Sequence, residues 1–333
     1  MGKKTVENRK MNNLIDVKEN YILRLDSGLL SILLKDNTTG KNIIWATDDY
    51  NAYGAGYQKD NSMTIFSITG KNGNLIKPRT AKTKQEQIAR VRDKAEVFTP
   101  SWICNKQNNL VDNAWFGVDD VFNTETENGW TATTEKIPFP TPTNKTWQDY
   151  VKAVRLEIVC GEAPYLASRY DTVNGNAIPL KERIGLLDRK LRVVSENTET
   201  EEDWYSWAIQ AYKSIYGYEW QGDNILIARE NLLFTFIDYY KDKFGVEPSR
   251  DKLAEIATII SWNIWQMDGL KFVIPDSCKN APETTLTLLG EITNEYYCEG
   301  CRKNNKNKHN GIYCYVMDWE KNKKVKFSSL VKK

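Results

Sequence analysis

"RLEIVCGEAPYLASRYD", residues 155–171, carries an alternating apolar run that ends in Cys-Gly before a second apolar pattern begins. Val154, Leu156 and Ile158 alternate with Arg155, Glu157 and Val159, the period of two of a β-strand. Gly161 permits a tight turn whose backbone can approach a ligand closely. "APYLASRY" then reads as the helix that follows. A strand, turn and helix of this kind is either an ordinary connection or a place to hold a small molecule, and the rest of the chain has to decide.

Outward from this stretch the alternation continues. "SIYGYE" reads as a strand, and "DNILIARENLLFTFIDYYKDKFG" as a long helix ending at Gly245. Ser249 can cap the next helix, "RDKLAEIATIISW", and "IWQMDGLKFVIP" follows as a short strand and loop. Repeated strand–helix units predict an α/β fold with a mostly parallel sheet covered by helices. Upstream, "TKQEQIARVRDKAEVF" reads as a helix. "TPSWICNKQNNLVDNAWFG" reads as another, with Thr99 as N-cap and Pro100 at the first helical position. Residues 1–80 read as short strands ("YILRL", "LLSILLK", "IIWAT", "MTIFSI") separated by Gly and Asn/Asp turns, a small β-rich N-terminal region. The predicted division is therefore 1–80, 81–275 and a Cys-rich hairpin with a basic tail, 276–333.

The composition bounds the function. The chain has 333 residues, 41% of them hydrophobic, and a formal charge of +2. That length suffices for a real core, and a balanced total can still hide a local basic face. The N-terminus lacks the apolar core of a signal peptide, and no apolar run is long enough to span a bilayer, so a cytoplasmic chain with no membrane partner is expected. The single histidine, His309, argues against a Ser-His-Asp hydrolase.

In parallel sheets, ligands sit at the carboxyl ends of the strands. The first strand end carries Glu157 and then Cys160, Gly161, Glu162 and Ala163, where a carboxylate could meet a ligand ammonium. The second carries Glu219, suited to a ribose diol, and the third Asp268, suited to an exocyclic amine. The helix start at "VFTPSW" offers free N–H groups to an anion. Each feature alone is also compatible with an ordinary surface residue or turn. Together they describe a ligand with a carboxylate, an ammonium, a ribose and an adenine, which is S-adenosylmethionine.

At these residues the sequence resembles the adenine-N6 DNA methyltransferases of restriction–modification systems, and the whole chain resembles sequences labelled restriction endonuclease subunit M. "AEVFTP", with Phe98, Thr99 and Pro100, is similar to the family's G-x-F/Y-F/Y-T-P motif. "LEIVCGEAPYL" at 156–166 is similar to L-D-P-A-C-G-S-G-x-F-L, Gly217-Tyr218-Glu219 to G-x-E, and Asp268-Gly269-Leu270 to D-x-L. The resemblance covers roughly residues 80–275 and implies a Rossmann-like methyltransferase sheet with helices on both faces. It further implies S-adenosylmethionine as cofactor and DNA as partner. The departures matter as much. Glu157 stands for Asp, Ala163 for the second loop glycine, and a long insertion that includes "KERIGLLDRKLRVVSENTETEEDW" precedes the ribose acid. No Asn/Asp/Ser-Pro-Pro-aromatic motif is present, and the chain contains no Pro-Pro at all, so no catalytic residue is assigned. Methyl transfer requires the target amine in line with the methyl donor, which cofactor binding alone does not supply. Two expectations follow: a cofactor-binding subunit completed by a second polypeptide, or an inactive relative that binds DNA or restriction subunits as a regulator.

Four cysteines gather late. Cys298-x-x-Cys301, His309 and Cys314 have the ligand types of a structural zinc site, with Cys278 as a further candidate. The alternative is a set of reduced cysteines in a hairpin without metal. Two basic stretches, "KPRTAKTK" with Arg90 and Arg92 and the tail 321–333, are either phosphate contacts or solvated faces, and Trp102 and Trp265 either stack on a base or fill the core.

Overall fold

The computed structural model describes residues 18–287 and 290–331, and for residues 281–296 only the backbone course. The first seventeen residues and the last two lysines of the basic tail lie outside the described residues. Helices α1 (Glu19–Leu25), α2 (Leu29–Leu34), α3 (Ile65–Ile68), α4 (Lys84–Lys94) and α5 (Ser101–Phe116) come first. A hairpin, β1 (Asn123–Thr126) and β2 (Gly129–Ala132), and helix α6 (Trp147–Lys152) lead to β3 (Arg155–Ile158). Then come α7 (Leu186–Asn197), α8 (Glu201–Lys213), β4 (Ile215–Glu219), α9 (Gly222–Phe244), α10 (Arg250–Asn263) and β5 (Ile264–Gln266). The chain closes with a hairpin, β6 (Ala281–Thr287) and β7 (Gly290–Tyr296), a short helix α11 (Glu299–Lys303), and a last hairpin, β8 (Tyr315–Asp318) and β9 (Lys323–Lys326).

The central sheet is small and parallel, in the order β3-β4-β5, with Leu156 opposite Tyr216 and Tyr218 opposite Trp265. Parallel neighbours need long crossovers, which α7–α8 and α9–α10 supply. Ile215 and Ile264 face these helices in the main buried cluster, while Tyr218 and Trp265 face a second cluster with Met267, Phe272, Cys314, Val316 and Phe327. The expected cover of helices on both faces is therefore corrected. Helices cover one face, and the other is covered by the chain's last hairpin. The cause is topological: strands added in one direction by right-handed crossovers place every crossover helix on the same side. Part of the second face stays open, with Leu156 45% and Ile158 65% exposed on the outermost strand.

The N-terminal region is also corrected, being helical where strands were expected. "YILRL" and "LLSILL" form α1 and α2, and "MTIFSI" holds α3, closed by a Thr64–Ser67 capping box. Only isolated bridges, Lys35 with Asn42 and Ile44 with Ser62, remain of the expected strands. Leu29, Leu30, Leu33 and Leu34 are all buried, a helical spacing that a short apolar run does not distinguish from a strand. These residues share one buried cluster with Leu232, Phe236 and Ile260 of α9 and α10. "APYLASRY" is likewise not a helix but a chain of turns. It instead receives the start of α7, with Leu186 N–H donating to Tyr165 O (2.8 Å) and Leu187 N–H to Leu166 O (2.9 Å).

Arg229, on α9, is fully buried. Its guanidinium donates to Ile264 O (2.8 Å), Ser261 O (3.1 Å), Leu33 O (2.6 Å) and Lys35 O (2.9 Å). Burial lowers its pKa to about 10. Arg229→Met keeps much of the side-chain volume but leaves four carbonyls, three of them in buried contacts, without their donor. The expected loss, read by urea denaturation, is about 3 kcal/mol or more, since each orphaned buried acceptor costs about 1–3 kcal/mol.

Candidate functional site

The backbone after β3 takes an unusual course. Val159, Gly161 and Ala163 all have positive φ, at 51°, 53° and 62°. A β-branched residue with φ > 0 is a true outlier, and such strain persists only where the surroundings enforce it. Here Cys160 N–H is fixed on Tyr218 O (2.8 Å) and Gly161 N–H on Glu219 Oε2 (3.0 Å), so the neighbouring strand end shapes the loop. A Cβ on Gly161 would lie 3.8 Å from the Phe98 ring, and the Arg79 guanidinium sits over that ring at 5.1 Å.

Phe98, Gly161 and Glu219 are thus brought together at the carboxyl ends of β3 and β4. Glu219 is buried, and its Oε1 accepts from Gln221 N–H (3.3 Å). Glu157 lies on β3 with its Oε2 closed off from solvent and without a hydrogen bond, while Oε1 has only a long contact from Tyr165 N–H (3.4 Å). Burial, with a smaller contribution from Glu219, raises the Glu157 carboxyl well above the usual range. Burial also raises Cys160, whose side chain lies against Gly217.

The remaining predicted contacts point elsewhere. Glu162 turns inward and accepts from Arg79 N–H (2.6 Å) and Tyr170 OH (2.7 Å), and Ala163 is fully buried. Helix α5 starts at Ser101 with Pro100 as N-cap, one residue later than expected, and Ser101 N–H already donates to Asp171 Oδ2 (2.7 Å). Thr99 O accepts from the Thr172 hydroxyl (3.3 Å). Asp268 closes its own turn, accepting from Leu270 N–H (3.0 Å) and Lys271 N–H (3.1 Å) and pairing with Lys271 Nζ (3.4 Å), while the Leu270 side chain is exposed. Asp268 lines a cavity of about 460 Å³ with Lys271, Tyr297, Cys301 and Arg302. Of the aromatic and basic candidates, Trp265 is buried in the second cluster and Arg90 in the interior.

Arg90 belongs to a network that the sequence reading left unassigned. Asp223, at the start of α9, accepts from Tyr50 OH (2.8 Å) and Arg90, with Lys82 Nζ at 3.5 Å. Arg90 also donates to Asp49 (2.9 Å) and Glu96 (3.1 Å). Residues 45–57, for which the sequence offered no role, lie over this strand end: Trp45 O accepts from Gly222 N–H (2.9 Å) and Ala46 O from Trp220 Nε1 (3.0 Å). Their only sequence signal is a density of Trp and Tyr, and their partners at Trp220, Gly222 and Asp223 are more than a hundred residues away. Burial pushes the Asp223 carboxyl up, but Arg90 and Lys82 outweigh it and hold the pKa at about 2. A lowered acidic pKa stabilises the fold above the unfolded carboxylate range and loses that contribution as pH falls towards 2. Between pH 5 and pH 2 the wild type should lose about 2 kcal/mol more stability than Asp223→Asn, measured by urea denaturation at each pH.

A second constellation lies in the C-terminal segment. Cys278, Cys298, Cys301 and His309 place one ligand atom each within 4.8 Å of one another, a set that could hold a metal ion. His309 Nδ1 lies 3.6 Å, 3.5 Å and 3.6 Å from the sulfurs of Cys278, Cys298 and Cys301. Asn310 N–H points at Cys298 Sγ (3.4 Å). A Cβ on Gly300 would come within 2.6 Å of His309 Nδ1, so glycine is required between the two cysteines. The expected ligand Cys314 is corrected to Cys278. Cys314 is buried in the second core cluster, its Sγ directed at Gln266 O (3.4 Å). The chain runs extended from His309 into β8, carrying Cys314 away, and the pairing of Ile274 N–H with Ile312 O (2.8 Å) brings Cys278 back instead.

No helix among the described residues is long and apolar enough to cross a membrane. Comparison with protein-family models, with curated proteins and with solved structures found no match for this chain.

Proposed function

We propose that the chain is an S-adenosylmethionine-binding subunit of the adenine-N6 DNA methyltransferase kind, with a structural zinc centre near its C-terminus. The observation that carries the cofactor reading is Glu157. A carboxylate oxygen buried without a partner at a strand end, beside a strained turn, is a group awaiting a cation. The ligand's ammonium fits there. Glu219 has used one lone pair on each oxygen for Gly161 and Gln221 and retains capacity for the hydroxyls of a ribose. The Phe98 ring stands beside Gly161 as an aromatic wall. When bound, the cofactor would supply the electrophilic methyl group, and these residues only bind and orient it.

Delivery of that methyl group needs a target-holding motif that this sequence lacks, which favours completion by a second polypeptide. The outer strand supports an incomplete sheet. Arg155 N–H bonds towards β4, so by ladder alternation within β3 Leu156 and Ile158 direct their backbone groups to the side where no described strand pairs. A regulator that binds DNA or restriction subunits is favoured by a different observation: Asp171 occupies the helix start meant for the ligand carboxylate, and Asp268 is closed into its own turn.

Calorimetry with S-adenosylmethionine is the direct test. Binding to one site is expected, weakened about tenfold or more by Glu219→Ala through loss of the ribose contacts. Because burial favours the neutral form of the Glu157 carboxyl, binding a cation there should be accompanied by proton release. Titrations in two buffers of different ionisation enthalpy will show it, and Glu157→Gln should abolish it. No binding at millimolar ligand by a folded protein would sink the cofactor reading. Methyl transfer to adenine in DNA only after a second polypeptide is added supports the split enzyme. Cofactor binding with no transfer under any pairing leaves the regulator.

For the metal, zinc bonds of about 2.3 Å to sulfur and about 2.05 Å to nitrogen at a tetrahedral angle place nitrogen and sulfur about 3.6 Å apart. The observed spacings match, and three cysteines with one histidine make a closed set with no open position. Purified protein should carry one equivalent of zinc, lost in Cys298→Ser. Well under one equivalent would reject the site.

A further inference from the structure

The C-terminal segment concentrates positive charge. Residues 298–333 hold ten Lys/Arg and three Asp/Glu, a net charge of +7 in a chain whose total is +2. Two of the three acidic groups are already engaged: Glu299 pairs with Lys303 (3.0 Å) and Lys308 (2.9 Å), and Asp318 with Lys321 (3.2 Å). Lys306, Lys324 and Lys326 make no ion pair among the described residues and rest on aromatic rings. Lys326 Nζ lies 3.3 Å from the centroid of Tyr313, Lys324 Nζ lies 5.5 Å from those of both Tyr315 and Trp262, and Lys306 Nζ lies 5.5 Å from that of Phe272.

These contacts form one row. Tyr315 pairs with Lys326 and Met317 with Lys324 across the hairpin, and the side chains of Tyr313 and Tyr315 alternate onto the same face. The row therefore reads Trp262, Lys324, Tyr315, Lys326, Tyr313. Its end is tied to the Cys/His cluster, because Tyr313 OH accepts from His309 N–H (3.0 Å) and donates to Lys306 O (2.9 Å).

We propose that this face, formed by the β8–β9 hairpin and the Cys/His loop, binds the backbone of a nucleic-acid strand. Lys306, Lys324 and Lys326 take the phosphates, and Tyr313 and Tyr315 offer their rings to the bases. Lysines two residues apart on a strand recur about every 7 Å, a regular spacing suited to a polyanion of regular charge. An ammonium resting on a ring is held by only about 0.5–1 kcal/mol, so moving it to a phosphate is easy and uncovers a stacking surface. An acidic polypeptide would use the lysines but has no need of the rings. This inference goes beyond the cofactor reading and stands without it.

The test is fluorescence anisotropy of the full chain, loaded with zinc, on a labelled 20-nucleotide single strand and on the matching 20-base-pair duplex, over a range of salt. The expected result is binding whose logarithm falls linearly with log salt. In Lys306→Gln/Lys324→Gln/Lys326→Gln the slope should drop by about 2–3, and affinity at low salt by about tenfold or more. Lys181→Gln serves as a control elsewhere on the surface. Tyr315→Ala weakening the single strand more than the duplex identifies an unpaired strand as the ligand, and equal loss identifies duplex backbone. Zinc content and melting temperature of the triple variant check its fold, and the exposed Lys324→Gln alone gives a smaller loss in the same direction. The triple variant binding like the wild type overturns the proposal, as does polyglutamate bound as tightly as either nucleic acid. Cofactor calorimetry on the triple variant should be unchanged, which separates failure here from failure of the cofactor site.

Discussion

The guanidinium of Arg229 is the point on which the fold hangs together. It sits on the central helix with no solvent around it and spends its donors on backbone carbonyls from three directions: the end of α2, the end of α10 and the start of β5. Those carbonyls are the ones a helix end or strand start leaves unsatisfied. One buried cation thereby fastens the N-terminal helices to the sheet. Nearby, Gln266 performs the same service for the outer edge of β5, exchanging hydrogen bonds with the Ile44 N–H (2.9 Å) and C=O (2.9 Å).

From that anchored sheet the rest follows in order. Three parallel strands advancing one way place their crossover helices on one face, so the second face must be covered by something else. The chain's last hairpin does this through Val316 and Phe327, and so brings the Cys/His loop near the turn of Asp268, where Asp268 and Cys301 line the same cavity. The strand ends on the opposite edge gather Glu157, Gly161 and Glu219, and strain the loop between them. The two constellations are thus linked through the sheet, one at β3 and β4 and the other beyond β5.

Much of the outline was legible in the sequence. The strand at 155–158, the helix ending at Gly245, the Ser249 cap and the last hairpin were read from alternation, a left-handed glycine and capping residues, which are local signals. The misreadings have the same origin. "LLSILL" is too short to show whether its leucines repeat every two or every three to four residues, and burial against α9 and α10 decided it. "APYLASRY" has helical composition, yet its carbonyls are used to receive α7. In the candidate sites, the residue types were legible and the pairings were not: Glu162 and Arg90 looked available, and the fold turned both inward.

The sequence by itself determined the periodic elements, their caps, the acidic strand ends, the absence of a Pro-Pro motif and the clustering of cysteines with basic residues. These properties depend on neighbours a few residues away. The tertiary structure alone decided which groups meet: Tyr50 with Asp223, Arg229 with Leu33, Cys278 with His309 in place of Cys314. Such contacts join residues far apart in the chain, and which of several chemically equal candidates is used depends on which one the packing of the sheet and its helices carries to the spot.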